Sequence, residues 1–426
     1  MARLLALAVA LGVLGAIAAS VFLEVVSVGQ QWLFVELPQV LGMAALPAWL
    51  GTVLLLIGAA VVILARRLPG ASGPGPLTGF HFDIAVRTAP SMLLAAVATL
   101  LFGFVLGPEA PLIVLGSVIG ALVMRGRAPQ QVQAGRILGG GAAIGAVFGN
   151  PFITAFLLLE FAAVGMMPAR VIPAVLVALG SGYAIQVGVL GFAGLGVHSL
   201  AVPGLPTYDT IAVGDLLAGL IVAILAGAIA LAVRMVAVWL DRWTEPRRGP
   251  ALLGAALVTG LALWLAQLAG ASPDLVLFSG QSGMAALVTE TSLVLVAVVL
   301  VAKAAGYAVA LGGGLRGGPI FPATYLGVAV AIGASLLLAG VPPTPLVAAG
   351  IAACAAVMTR LPATSAILGA LLVGGSGAAV APFAILGAVA GLLLRQGADR
   401  WRAASDQSSD QSSDQSSDQS PDQSSR

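Results

Sequence analysis

A single carboxylate stands at the start of one of two matched phrases. Residues 107–116 read GPEAPLIVLG and residues 318–327 read GPIFPATYLG, both fitting G-P-x-x-P-x-x-x-L-G at a separation of 211 residues. The same separation carries Pro151 of FGNPFITAFLL onto Pro362 of TRLPATSAILG. In each phrase the glycine, Gly107 or Gly318, permits an unusual turn. The proline presets φ at a helix entrance, where its missing N–H costs little. The free amides that follow belong to Glu109 and Ala110 in one copy and to Ile320 and Phe321 in the other. They point out of the helix start with the positive end of the dipole behind them, which is an anion site. Two such ends meeting at a membrane midplane would hold a small anion by partial charges, weakly enough to release it.

Glu109 faces Ile320 at the matching position, so the pair is asymmetric. A carboxylate beside an anion site mimics the anion and competes for it, and protonation removes the competitor. A glutamate in a first turn can also be a plain helix cap. In a chain with so few acidic residues inside its apolar runs, the switch is the preferred reading.

The elements that position these groups are membrane helices. Of 426 residues, 59% are hydrophobic and only 8% charged, with a mean hydropathy of +1.06. A soluble domain carries roughly a quarter charged residues, so this is an integral membrane protein. Gly-Pro breaks at 107–111, 149–151 and 318–322 interrupt continuous apolar sequence. Helices that stop inside a bilayer leave polar ends that must be buried in protein or line a wet cavity. The fold class expected is therefore all-α integral membrane, two inverted-topology repeats of tilted, partly broken helices.

Residues 1–30 read as a retained N-terminal membrane helix, too long for a signal peptide. The repeats are expected at 31–240 and 251–396, divided by the polar linker 241–250, DRWTEPRRGP, with a disordered SDQS-rich tail at 403–426. Arg66, Arg67, Arg125, Arg127, Arg395, Arg400 and Arg402 favour a cytoplasmic side for their segments, though Arg242, Arg247 and Arg248 oppose this if the linker lies outside.

A net charge of +2, with basic residues at the ends of apolar runs, implies no nucleic-acid partner. The lone Cys354 excludes an intrachain disulfide and reads as a packing residue. No cluster of ligating residues has metal spacing, so neither metal nor cofactor is expected. Lys303, the only lysine, has two expected readings, snorkelling or pairing to a helix end, placed ahead of an electropositive contribution to the ion path, and Arg360 reads as a helix-end anchor in preference to an anion ligand. Tyr307 and Tyr325 read as packing residues, while His81 and His198 receive no role.

The motifs together resemble the CLC family of chloride channels and chloride/proton exchangers. GPEAP followed by LIVLGSVIG resembles the family's G-K/R-E-G-P signature, and GGPIFPATYLG its G-x-F-x-P segment. GAAIGAVFGNPFITAFLLLE is similar to the helix ending in an acidic pair, and TRLPATSAILGALLV to the later R-x-P-L-T-G-I segment. The resemblance makes Glu109 the gating glutamate and Ile320 and Phe321 donors of anion-binding amides, and Gly107, Ala110 and Gly318 are counted with them as anion-binding residues. ASGPGP at 71–76 lies where the family has G-S-G-I-P, which makes Ser72 its anion-binding serine, with Ala71 in place of the glycine.

Three departures bear on mechanism. The acidic pair is reduced to Glu160 followed by Phe161, which cannot carry a proton at the family's relay position. The family's inner tyrosine has no match near the C-terminus, where 391–396 read GLLLRQ. The F of G-x-F-x-P aligns with Ile320, while Phe321 takes the variable position.

The function expected is passive conduction of chloride or similar small anions across the cell membrane. Each subunit of a multi-pass homodimer would carry its own pore, with candidate interface faces at 171–225 and 380–394. Proton-coupled antiport of chloride or fluoride is the alternative. From another class, GQSG at 280–283 and GGSG at 374–377 fit an intramembrane serine protease, which would need His81 or His198 within reach. A purely structural membrane protein would give Glu109 no reason to exist.

Overall fold

The computed structural model describes residues 2–191, 200–338 and 340–417. Among the described residues seventeen α-helices follow one another along the chain. They are α1 (Ala2–Gln31), α2 (Leu37–Val40), α3 (Ala48–Ala65), α4 (Ala89–Leu101), α5 (Glu109–Val123) and α6 (Pro129–Phe148). Next come α7 (Pro151–Ala163), α8 (Ile172–Ile185), α9 (Val213–Thr244), α10 (Arg248–Leu268), α11 (Pro273–Val276) and α12 (Met284–Val288). The last are α13 (Leu293–Gly312), α14 (Ile320–Leu337), α15 (Pro343–Thr359), α16 (Pro362–Leu372) and α17 (Ala381–Ser417). A π-helical stretch, Trp32–Glu36, joins α1 to α2. Among the described residues seven segments are long and apolar enough to cross a membrane, while α4, α5, α7, α15 and α16 are shorter apolar helices. This is a multi-pass, all-helical membrane fold, and among the described residues no β-strand occurs.

Helices stop where the breaks in the sequence lie. Gly149 caps α6 in the left-handed region at φ 64°, and the Asn150 side chain accepts the Phe152 amide at 2.9 Å before Pro151 opens α7. The matching corner of the second half has Arg360 at φ 61° and Pro362 opening α16.

The separation of 211 residues governs whole elements. It carries the start of α1 onto that of α9, the end of α4 onto that of α13, and the end of α6 onto that of α15. Packing repeats with it: α1 lies on α6 and α8, as α9 lies on α15 and α17. The symmetry thus places α1 inside the first repeat and α9 at the head of the second. The stretch 241–250, expected as the divide, is helical apart from a 3₁₀ turn at Glu245–Arg247, and it falls within the second repeat. Its polarity marks a helix corner rather than a domain boundary. At the other end, α17 continues to Ser417, where composition implies an unfolded tail from 403. Extending a formed helix costs far less than nucleating one.

The two repeats use one device to bring backbones together. A Cβ on Gly116 would meet the Gly139 carbonyl of α6, and a Cβ on Gly327 would lie 2.5 Å from the Gly350 backbone of α15. Gly116 and Gly327 are the last residues of the two matched phrases. Gly327→Leu is accordingly expected to lower stability by about 3 kcal/mol or more, because backbone offers no way to relax. A fall in the thermal midpoint of detergent-purified protein checks this.

Outward, all six tryptophans are exposed: Trp32, Trp49, Trp239, Trp243, Trp264 and Trp401. Such amphipathic rings suit the membrane–water interface. Inward, α14 and α15 are almost wholly buried and form the centre against which α9 and α17 are built.

Candidate functional site

The two matched phrases meet. Gly107 and Gly318 exchange both backbone hydrogen bonds, N to O at 2.8 Å one way and 2.6 Å the other, as an isolated antiparallel pair. A residue paired antiparallel with its own repeat mate lies on the local twofold axis. The starts of α5 and α14 therefore face each other across that axis.

Glu109 reaches over this crossing. Its Oε1 accepts the Phe321 amide at 2.8 Å, and the Ile320 amide also faces the carboxyl group. The side chain is fully buried, and Oε2 has no partner among the described residues. Gly107 and Gly318 cradle it, since a Cβ on either would overlap the carboxyl group. Expected among the anion-binding residues, these two glycines donate their amides to each other instead, so they provide room rather than donors. Phe321 is held from behind by Phe148 at the end of α6, ring centroids 6.0 Å apart. Tyr307 of α13 donates its hydroxyl to the Pro319 carbonyl at 2.6 Å, which ties down the entrance of α14. Periodicity suggested only packing for this tyrosine.

Ser72 is buried in a loop where four consecutive residues, Gly70, Ala71, Ser72 and Gly73, have positive φ. For Ala71 and Ser72, at 46° and 68°, that conformation costs roughly 1–2 kcal/mol each. What holds the loop is Arg316, two residues before Gly318. Its guanidinium donates to the carbonyls of Ser72 and Gly73, each at 2.7 Å, and to those of Gly314 and Leu315. The Ser72 amide donates to Ser91 Oγ at 2.7 Å, and its hydroxyl accepts from Arg66 at 3.3 Å. No motif singled out Arg316, because its partners in the Ser72 loop lie more than 240 residues away.

Three cavities surround the crossing. An inner pocket of about 40 Å³ is lined by Ser72, Ala110, Pro111, Arg316 and Pro319. That is room for a few water-sized particles. A wider one of about 480 Å³ shares Pro319 with it and carries Phe161, Arg234, Arg360 and Arg395. A separate cavity of about 270 Å³ is lined by Gln30, Leu106, Pro108, Ser279 and Ser282. Glu109 thus falls between Pro108, which lines one cavity, and Ala110, which lines another.

Phe161 is fully buried, with its ring 5.5 Å from Phe80 and 5.9 Å from Phe82. An aromatic cluster fills the place of an acid. Its neighbour Glu160 accepts the amides of Ala363 and Thr364 at 2.9 and 2.7 Å, capping α16 from α7 of the other repeat. Lys303 is buried and donates to the Leu277 carbonyl at the end of α11 at 2.6 Å, 4.6 Å over the Tyr325 ring. Of its two expected readings, the structure matches pairing to a helix end. Arg360 ends α15 and pairs with Asp399 of α17. Cys354 is buried against the Ala226 carbonyl.

Among the described residues the serine motifs find no histidine. Ser376 Oγ accepts the Tyr208 amide at 3.0 Å, while Ser282 lines the cavity at Pro108 and His81 the inner pocket. His198 lies outside the described residues.

Residues 57–395 match the family model described as voltage gated chloride channel. The chain is 30% identical over 369 residues to the ion-transport protein YfeO of Escherichia coli, covering 83% of this chain and 84% of that one. It is 30% identical over 366 residues, with the same coverage, to the protein of that name in Shigella boydii. Among solved structures it is similar to a slow cyanobacterial Cl⁻/H⁺ antiporter, with a TM-score of 0.74 at 18% identity over 93% of this chain and 94% of that one. It is also similar to a CLC-type fluoride/proton antiporter, with a TM-score of 0.65 at 16% identity over 93% and 96%. Those two likenesses concern the fold.

Proposed function

The chain belongs to the voltage-gated chloride channel (CLC) family, and on that premise we propose that it passes chloride or a similar small anion across the cell membrane, through a path in each subunit that the Glu109 carboxylate closes. One observation carries this reading. The Glu109 carboxylate sits on the Phe321 amide, and its chain neighbours Pro108 and Ala110 line two different cavities. It occupies the donors an anion would use. Ile320, Phe321, Ala110 and Ser72 are the anion-lining residues in this reading, with Arg316 holding Ser72 in place. Arg248 packs against Gly314 beside Arg316, whose other neighbours lie next to Arg66. Linker and early arginines thus gather on one side, which supports a cytoplasmic face there.

Conduction is passive in this reading, because Phe161 and its aromatic neighbours leave the relay position without an acid. The second reading is proton-coupled antiport of chloride or fluoride. It is favoured by the buried, partnerless Oε2 of Glu109, where a proton can reside. Anion efflux from liposomes holding the purified protein, with external pH recorded and chloride compared with fluoride, separates the two. Efflux without proton uptake supports the channel, whereas proton uptake locked to efflux overturns it in favour of the antiporter. Phe161→Glu is expected to keep anion flux within about tenfold, about 1.4 kcal/mol, while adding proton movement in the same assay.

The family resemblance also implies a homodimer. Exposed apolar residues on α9 (Leu217, Ile221, Ile224) and α17 (Ile385, Val389, Leu393) are the faces we assign to it. Ile221→Arg is expected to halve the mass measured by light scattering in detergent, and an unchanged dimer mass would move the interface elsewhere.

A further inference from the structure

The cavity of about 480 Å³ beyond Pro319 contains more positive charge than its neighbours neutralise. Arg234 of α9, Arg360 at the end of α15 and Arg395 of α17 all line it. Asp399 pairs with both Arg360 and Arg395, the latter at 2.9 Å. Arg395 is buried and also donates to the Val357 carbonyl at 2.7 Å. Arg234 is half-buried, and among the described residues no hydrogen bond or ion pair reaches its guanidinium. Three guanidinium groups therefore share one carboxylate, Arg395 buried, Arg234 half-buried and Arg360 exposed, and unbalanced charge at the two less exposed groups is costly unless an anion joins it.

The backbone at Arg360 adds an independent sign. It is held at φ 61°, where the first repeat has Gly149 at φ 64°. Glycine adopts that conformation freely, whereas an arginine gives up roughly 1–2 kcal/mol. Strain kept at a cavity wall is a mark of functional placement.

The recess and the crossing suit different anions. A halide is a sphere and is served by single amides such as that of Phe321. Planar guanidinium forks match the paired oxygens of a tetrahedral oxyanion instead. Size points the same way. The cavity narrows through Pro76, Gly79, Phe80 and Pro319 into the pocket of about 40 Å³. An oxyanion that fits the wide part would stop there, across the mouth of the path.

We propose that Arg234, Arg360 and Arg395 form a binding site for a phosphate-type oxyanion, and that an occupant blocks passage of the small anion. The block rests on the function proposed above; the binding does not. Arg234 is the residue to change, since it has no structural partner to lose. The first experiment titrates inorganic phosphate into the full chain in detergent by calorimetry at constant ionic strength, for wild type and Arg234→Gln. Saturable binding in wild type, weakened at least about tenfold in Arg234→Gln with an unchanged thermal midpoint, is the expected result. No saturable binding, or equal binding in the variant, overturns the site.

The same phosphate is then added to chloride-loaded liposomes. Inhibition relieved by Arg234→Gln supports the block, and binding without inhibition overturns it. If wild type passes no chloride at all, the transport reading fails while the calorimetry still decides the site. Repeating the titration in phosphatidylcholine and phosphatidylglycerol nanodiscs identifies the source of the phosphate group. Loss of phosphate binding only in phosphatidylglycerol shows that a lipid headgroup takes the same arginines, and retention in both shows a free oxyanion.

Discussion

Anion flux through Glu109→Gln protein is expected to stay flat over a pH series in which wild-type flux climbs as pH falls. The charged carboxylate accepts the Phe321 amide at 2.8 Å and so holds a donor the anion needs. Protonation removes the charge, and the anion then competes against a neutral group. A hydrogen bond to a charged acceptor contributes about 1.5–3 kcal/mol, which corresponds to roughly 10- to 150-fold in anion occupancy. Glutamine keeps the shape of the side chain but cannot titrate, so its flux should match the low-pH limit of wild type or exceed it. Glu109→Ala removes the group altogether and should be at least as fast and equally flat. The check is chloride efflux from liposomes at each pH. Retained pH dependence in both variants would place the gate on another residue.

Gly318→Ala is expected to produce much of the same effect without touching the carboxylate. Gly318 has no positive φ, so alanine carries no backbone strain there and acts only through space. Its methyl would overlap the Glu109 carboxyl group and lie 3.0 Å from the Glu109 Cβ. The backbone cannot retreat without breaking the reciprocal Gly107–Gly318 hydrogen bonds, so the side chain must move. Overpacking of this kind costs about 1–3 kcal/mol and should lower the thermal midpoint. In a Glu109→Ala background the overlap with the carboxyl group is gone and only the 3.0 Å approach to Cβ remains, so the same substitution should cost much less. The combination is therefore expected to be strongly non-additive, both in thermal midpoint and in pH dependence of flux. Additive effects would show that the glycine does not cradle the carboxylate.

What could be read from residues alone is what depends on neighbours in the chain. Gly-Pro breaks end helices through local backbone chemistry, and α5, α7 and α14 start where those breaks predict, with α16 starting at Pro362, the repeat mate of Pro151. The recurrence of one phrase after 211 residues carried the repeat architecture, and Glu109 was conspicuous as a carboxylate among apolar residues. The repeat boundaries were less legible. A polar stretch at 241–250 looks like a divide, yet solvent exposure at a helix corner demands the same composition.

The groups that complete the site came from far along the chain. Arg316 on the Ser72 loop, Tyr307 on the Pro319 carbonyl and Glu160 on the start of α16 follow no spacing rule. Their partners are chosen by where helices cross. The same holds for Arg234, Arg360 and Arg395, which stand on three helices and share a cavity only after packing.

By itself the amino-acid sequence determined a helical membrane protein, its twofold repetition and the lone acid at a helix start, because hydropathy, proline and glycine act locally. Tertiary structure alone decided that the carboxylate of one repeat rests on an amide of the other, and that Gly107 and Gly318 pair across the axis between them. Those contacts join residues more than 200 positions apart. Only the crossing of the two helix entrances at Gly107 and Gly318, with Phe148 set against Phe321, brings them within hydrogen-bond distance.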